Sequence, residues 1–200
     1  MKTLRRILPL FLLSAVSIAS LALSTGSSAP DFSLPDTSGK THSLSEYHGK
    51  YVVLEWINPE CPFVRKHYDS GNMQSLQKSF TAKGVVWLSI DSSAPGKPGN
   101  YSPMDLASWE KGQGAAATAV LLDPAGKVGR EYSAKATPNM YVIDPNGSLI
   151  YQGAIDSIAS DDQSDIAKAT NYVKAALDES MAGKAVTTPQ TRAYGCGIKY

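Results

Sequence analysis

The stretch YVVLEWINPECPFVRKHY, residues 51–68, decides how this chain is read. Apart from Glu55, its first seven residues are β-branched, aromatic or aliphatic, the pattern of a central strand buried on both faces. Pro59 and Pro62 bracket a sharp turn. From Pro62 to about Lys83 the apolar spacing becomes helical, with Met73, Leu76 and Phe80 on one face and a kink at Gly71. Cys61 therefore falls at a strand-to-helix junction, just before a proline that suits the first helical position. Unsatisfied amides and the positive end of the helix dipole favour a thiolate there. Such sites lower a thiol pKa from about 8.5 to between about 3.5 and 7.5.

Two oddities surround the cysteine. Arg65, Lys66 and His67 place cationic side chains in the first two helical turns, where the dipole disfavours them. An anionic sulfur or substrate would relieve that conflict. Arg65, four residues beyond the sulfur, is expected to face it, and Lys66 and His67 to reach solvent. Glu55 puts a carboxylate in an apolar strand. If it is buried, its pKa should rise and it could pass a proton to or from a nearby thiol; at a sheet edge it would instead reach solvent or a lysine.

Further along, GVVWLSI (84–90) and TAVLLD (118–123) read as buried strands. Residues 92–103 read as a loop and 104–111 as a short helix, with a turn and short helix in PAGKVGREY. NMYVID (139–144) and LIYQGAI (149–155) flank an Asn-Gly turn, the strongest short hairpin signal. Residues 165–181 read as one amphipathic helix, its stripe formed by Ile166, Ala169, Tyr172, Val173, Ala176 and Leu177. A βαβ half joined to a ββα half makes an α/β fold: a mixed sheet flanked by helices, with an N-terminal extension turning near Ser38-Gly39. Before the hairpin, the Thr137-Pro138 step can hold a cis peptide and present the Thr137 backbone to an extended substrate beside the sulfur.

The N-terminus has a basic start, an apolar run from Ile7 to Leu23 and a small, polar end, the pattern of an export signal over residues 1–24; the alternative is an uncleaved membrane anchor. Removing it takes away three positive charges and no negative ones, so the net charge moves from +1 to 1 − 3 = −2. A near-neutral domain without a basic run argues against nucleic acid as partner. Export means an oxidising compartment, extracytoplasmic or periplasmic, where two cysteines commonly pair. Cys196 lies between two glycines in a tail, residues 183–200. From Gly183 to Cys196 is 13 residues, which at about 3.3 Å each span about 40 Å, so the tail can reach Cys61.

Together these features resemble the thioredoxin-like superfamily, in its redoxin branch, the alkyl hydroperoxide reductase/thiol-specific antioxidant group. The resemblance covers residues 29–182. APDFSLPDTSGKTHSLSEYHGKYVVLEWINPECP is similar to the redoxin opening, and TPNMYVIDPNGSLIYQGAID to its cis-proline strand and hairpin. Within the branch, NPECPFVRKHY and YGCGIKY resemble a peroxiredoxin-like subgroup of exported proteins. The resemblance implies that Cys61 is the nucleophile, Pro138 the cis-proline and Glu55 the buried acid. It also has gaps. Val64 stands where a CxxC pair would have its second cysteine, and Leu54 and Asn58 stand where a peroxiredoxin has proline and threonine. Asn58 could still donate a hydrogen bond to substrate.

The expected function is an exported thiol oxidoreductase that reduces peroxides or disulfides at Cys61. Cys196 would be the resolving thiol and a thioredoxin-like donor the external reductant, with no cofactor or metal. The alternative is a non-catalytic binding module with a structural Cys61–Cys196 bridge.

Overall fold

The computed structural model describes residues 23–200, so the signal or anchor expected over 1–24 falls almost wholly outside the described residues. A hairpin of β1 (Ser33–Pro35) and β2 (Thr41–Ser43) comes first, followed by a 3-10 turn, Leu44–Tyr47. The main sheet takes β3 (Val52–Ile57), β4 (Val86–Asp91), β5 (Ala119–Leu122), β7 (Asn139–Ile143) and β8 (Leu149–Gly153), in the spatial order β5-β4-β3-β7-β8. β3, β4 and β5 run parallel, while β7 pairs antiparallel with both β3 and β8. β3 is the central strand, and all six of its residues are buried, as its composition predicts.

The pleat sorts side chains into two cores. Val53 and Ile57 face α1 (Pro62–Asp69), α2 (Asn72–Thr81) and α5 (Tyr172–Met181), meeting Val64, Tyr68, Met73, Phe80, Val173 and Leu177. Leu54 and Trp56 face the other way, onto the N-terminal hairpin and α4 (Lys127–Glu131), meeting Phe32, Leu34, Val128 and Tyr132. α3 (Pro103–Gln113) covers the end of the first core through Leu106. The kink expected at Gly71 is a full break: Gly71 takes φ +75, and α2 starts anew there.

One helix differs from expectation. Residues 163–168 form a 3-10 turn with no buried side chain, and α5 begins only at Tyr172. The backbone between them pairs with the loop after β8 instead: Ser157 N donates to Thr170 O (3.1 Å) and Tyr172 N to Ile155 O (3.0 Å). Asn171, whose side chain accepts from Lys174 N, then caps α5. Two short strands complete the fold, β6 (Ala136–Thr137) and β9 (Cys196–Gly197), which pair antiparallel with each other.

Candidate functional site

Cys61 is the N-cap of α1, with Pro62 at the first helical position. Its backbone N–H donates to Asn58 O (3.0 Å) and its carbonyl accepts from Arg65 N (2.9 Å), closing the turn that the two prolines predict. The residue is 2% exposed. Its sulfur forms no cap bond with the α1 amides and instead donates to Thr137 O at 3.1 Å. Thr137-Pro138 is a cis peptide.

Cys196 completes the pair. In the β6–β9 ladder Cys196 stands opposite Thr137, the residue that accepts from Cys61. Burial, and then the hydrogen bond and charge of the adjacent Cys61, push the Cys196 thiol up to about 12. Both cysteines are free. The tail reaches this place by close contact: a Cβ built on Gly195 would lie 2.1 Å from Thr137 O, and the residue's φ is +127. The Thr137 backbone, expected to receive substrate, is thus occupied by the chain's own tail.

The tail is anchored on both sides of Cys196. Upstream, the Tyr194 hydroxyl donates to Asp156 Oδ1 (2.5 Å), and the ring lies edge-on to Phe63 of α1 (5.9 Å between centroids). Downstream, Ala94 N donates to Lys199 O (2.8 Å), the Tyr200 hydroxyl donates to Ala134 O (2.9 Å), and Arg130 stacks on the Tyr200 ring at 4.5 Å.

The three cations of α1 sort opposite to expectation. The Arg65 side chain is 61% exposed and pairs with Asp69 one turn on (3.5 Å), away from the sulfur. The side chains of Lys66 and His67 are fully buried, each 3.8 Å from Asp156 Oδ2. Lys66 Nζ also donates to Ser160 O (3.0 Å), and His67 Nδ1 meets the Asn72 amide (2.8 Å). Burial drives the His67 pKa down to about 4; Asp156 opposes that shift and Lys66 reinforces it. The conflict with the dipole is therefore relieved by a buried carboxylate from the loop after β8. A helix pattern alone cannot show this, because that loop and the tail lie far along the chain.

Asn58 is also placed differently from expectation. Its amide donates to Pro98 O (2.9 Å) and Ser93 Oγ (3.3 Å), and its oxygen accepts from Glu60 N (2.8 Å). Both amide protons are engaged in holding the loop after β4, so neither is left for a substrate. Glu55 is buried in the middle strand of the sheet, the first of the two alternatives its sequence position left open. Trp87 Nε1 (2.7 Å), Tyr68 OH (3.0 Å), Ser89 Oγ (3.1 Å) and Gln77 Nε2 (3.3 Å) all donate to it. Burial raises its pKa to about 7 against the pull of these four donors. Its hydrogen bonds run to these groups and not to either sulfur. Among the described residues no cluster of three or more metal-ligating side chains forms.

A central βαβ unit, a cysteine at the N-cap of the first helix, and the carbonyl of a cis Thr-Pro peptide facing its sulfur define a protein of the thioredoxin-like class. The family model of the AhpC/TSA family matches residues 25–152, and the chain belongs to that family. The thiol-disulfide oxidoreductase ResA of Bacillus subtilis (strain 168) is 28% identical over 137 residues, 68% of this chain and 71% of that protein. A putative thiol:disulfide interchange protein DsbE from Chlorobium tepidum is 28% identical in structural alignment, with a TM-score of 0.52 over 65% of this chain and 84% of its own. A hypothetical protein from Sinorhizobium meliloti 1021 shares the fold more fully, with a TM-score of 0.76 and 24% identity over 89% of this chain and 95% of its own.

Proposed function

We propose that the protein is a thiol-disulfide oxidoreductase whose redox pair is Cys61 and Cys196. The observation that carries this reading is the β6–β9 ladder, which sets Cys196 opposite Thr137 while Thr137 O accepts from Cys61. Two thiols far apart in sequence thereby share one site at a cis-proline. Two of the three proteins named above, ResA and the DsbE of Chlorobium tepidum, carry the same class of activity in their names. The commitment of both Asn58 amide protons to the loop after β4 favours disulfides over peroxides as substrates.

The Cys61 thiolate attacks one sulfur of a substrate disulfide, forming a mixed disulfide and expelling the second sulfur as a thiolate that takes up a proton. Cys196 then attacks the Cys61 sulfur. The Cys61–Cys196 bond forms, the mixed disulfide breaks, and the remaining substrate sulfur leaves as a thiolate. The substrate gains two electrons and the cysteine pair loses two, which an external dithiol restores. Every step is reversible, so the partners' potentials set the direction. Cys196 suits the second position. Two of the influences that keep its thiol protonated, the hydrogen bond and the charge of Cys61, disappear once Cys61 is bonded to substrate. Export, read from the N-terminal pattern, is part of the same proposal: the pair would work in an oxidising compartment.

The test is oxidation of the reduced chain by glutathione disulfide, with acid quenching and mass analysis. The native chain is expected to pass through a glutathione adduct to an internal disulfide, which a dithiol reductant reopens. Cys196→Ser should stop at the adduct, and Cys61→Ser should leave Cys196 slow to react. An internal bond that withstands dithiothreitol would mark a structural staple and defeat the enzyme reading. Rapid oxidation by hydrogen peroxide, with no reaction toward disulfides, would move the substrate class to peroxides.

A further inference from the structure

Cys61 is both covered by the tail and served by it, and these are opposite demands. A substrate disulfide has to reach the sulfur of a residue that is 2% exposed, with Cys196 held beside it on the Thr137 ladder. Cys196 then has to return to the same place. Whatever fixes the tail upstream of Cys196 therefore sets the balance between the two steps.

The upstream attachment is Tyr194, two residues before Cys196. Its hydroxyl donates to Asp156 Oδ1 (2.5 Å) and lies 3.5 Å from His67 Nε2. Its ring centroid is 5.9 Å from Lys66 Nζ and faces Phe63. Asp156 is held in turn by the buried Lys66 and His67 at 3.8 Å, and its Oδ1 also accepts from Ile158 N (3.1 Å). Three of these groups, Phe63, Lys66 and His67, belong to α1, the helix that Cys61 caps. One short helix thus fixes the nucleophile at its end and the tail's anchor on its flank. Burying a lysine and an aspartate is expensive unless each finds partners, and here the hydroxyl that completes the cluster comes from the tail.

Building on the Cys61–Cys196 reading, we propose that the Tyr194–Asp156 contact is a latch that positions the tail. Closed, it covers Cys61 and presents Cys196; open, it bares Cys61 to an incoming disulfide. Tyr194 and Asp156 touch neither sulfur, so they act through the tail as positioning residues.

The latch predicts an opposed kinetic signature that a merely structural contact would not give. The probe is glutathione disulfide with the full-length reduced chain. Capture is the rate of adduct formation at Cys61, and resolution is the rate of its conversion to the internal bond. In Tyr194→Phe the ring and its packing on Phe63 remain, and Asp156 keeps Ile158 N. Capture should speed up and resolution slow down, so that the ratio of resolution to capture falls at least tenfold. A ratio within twofold of the native value, including parallel slowing of both steps, overturns the latch. Asp156→Asn combined with Lys66→Met, which weakens the acceptor without leaving a buried charge unpaired, provides the same measurement should Tyr194→Phe fold poorly. Failure of the underlying reading looks different: the native chain would stop at the adduct. A Cys196→Ser background isolates the cover from the partner. If Tyr194→Phe leaves capture unchanged there, the tail does not gate Cys61.

Discussion

Glu55 faces the harshest environment of any carboxylate near the site, and its consequences can be worked out from its pKa. Burial lifts it from 4.5 to about 7 even though Trp87, Tyr68, Ser89 and Gln77 all donate to it. Between those two values the folded chain holds a proton that the unfolded chain has lost. The stability attributable to Glu55 is therefore intact below about pH 4.5, declines as pH rises toward 7, and levels off above that. The change is on the order of 3 kcal/mol at about 1.4 kcal/mol per pH unit. Glu55→Gln should flatten this slope in urea unfolding between pH 4.5 and 7.5; an unchanged slope would assign the pH dependence to other groups. The odd carboxylate in YVVLEWI is visible in the sequence, which leaves a buried acid and an edge carboxylate both open; the place of β3 in the middle of the sheet decides for burial. The sorting of Arg65, Lys66 and His67 is not legible. Which of the three consecutive basic side chains turn inward depends on Asp156, about 90 positions away, and on a tyrosine of the tail.

At the scale of elements, α1 and β9 do the site's work, and only one of them can be read locally. The strand, the proline-flanked cysteine and the helix of α1 follow from composition and spacing, as does the β7–β8 hairpin around its Asn-Gly turn. The helix expected over 165–181 loses its first part because the backbone at Thr170 and Tyr172 pairs with the loop after β8. Periodicity does not register that competition. β9 is only two residues long and carries no strand pattern. Its one sequence signal is the pair of glycines around Cys196, and the structure uses the first of them. Gly195→Ala would place a methyl carbon 2.1 Å from Thr137 O, in a backbone conformation that L-residues avoid. The β6–β9 ladder should open. In a Cys196→Ser background, iodoacetamide should then label Cys61 at least tenfold faster, with a loss of roughly 1–3 kcal/mol in stability. Unchanged labelling would mean that the tail does not shield Cys61. Asn58→Ala makes a contrasting case. It frees the loop held through Pro98 and Ser93 and should cost about 1–3 kcal/mol through lost buried hydrogen bonds. The rate of glutathione capture should nevertheless stay within about twofold of native, and a large fall would restore Asn58 as a substrate contact.

For the whole molecule, the pair spans about three quarters of the folded chain. A bond between Cys61 and Cys196 closes a loop of 196 − 61 = 135 residues, from the central strand's end across the hairpin and α5 to the tail. Constraining the unfolded chain to that extent has a loop-entropy ceiling of about 5 kcal/mol. The reduced state offsets part of it, because oxidation removes the hydrogen bond from the Cys61 sulfur to Thr137 O, a contribution on the order of 1 kcal/mol. The oxidised chain should therefore be the more stable by roughly 3–4 kcal/mol, with a melting temperature higher by about 6–16 °C, at about 2–4 °C per kcal/mol for a chain of this size. By the same thermodynamic cycle, the fold favours the disulfide over a bond in the unfolded chain by that amount. This equals roughly 65–85 mV for a two-electron couple. Scanning calorimetry on the two redox forms, and the difference between glutathione redox titrations of the pair in the folded and in the urea-unfolded chain, therefore measure one quantity twice, and the two should agree within about 1 kcal/mol. An oxidised form that melts below the reduced one would show that the folded tail resists the bond and that Cys61 exchanges with partners other than Cys196.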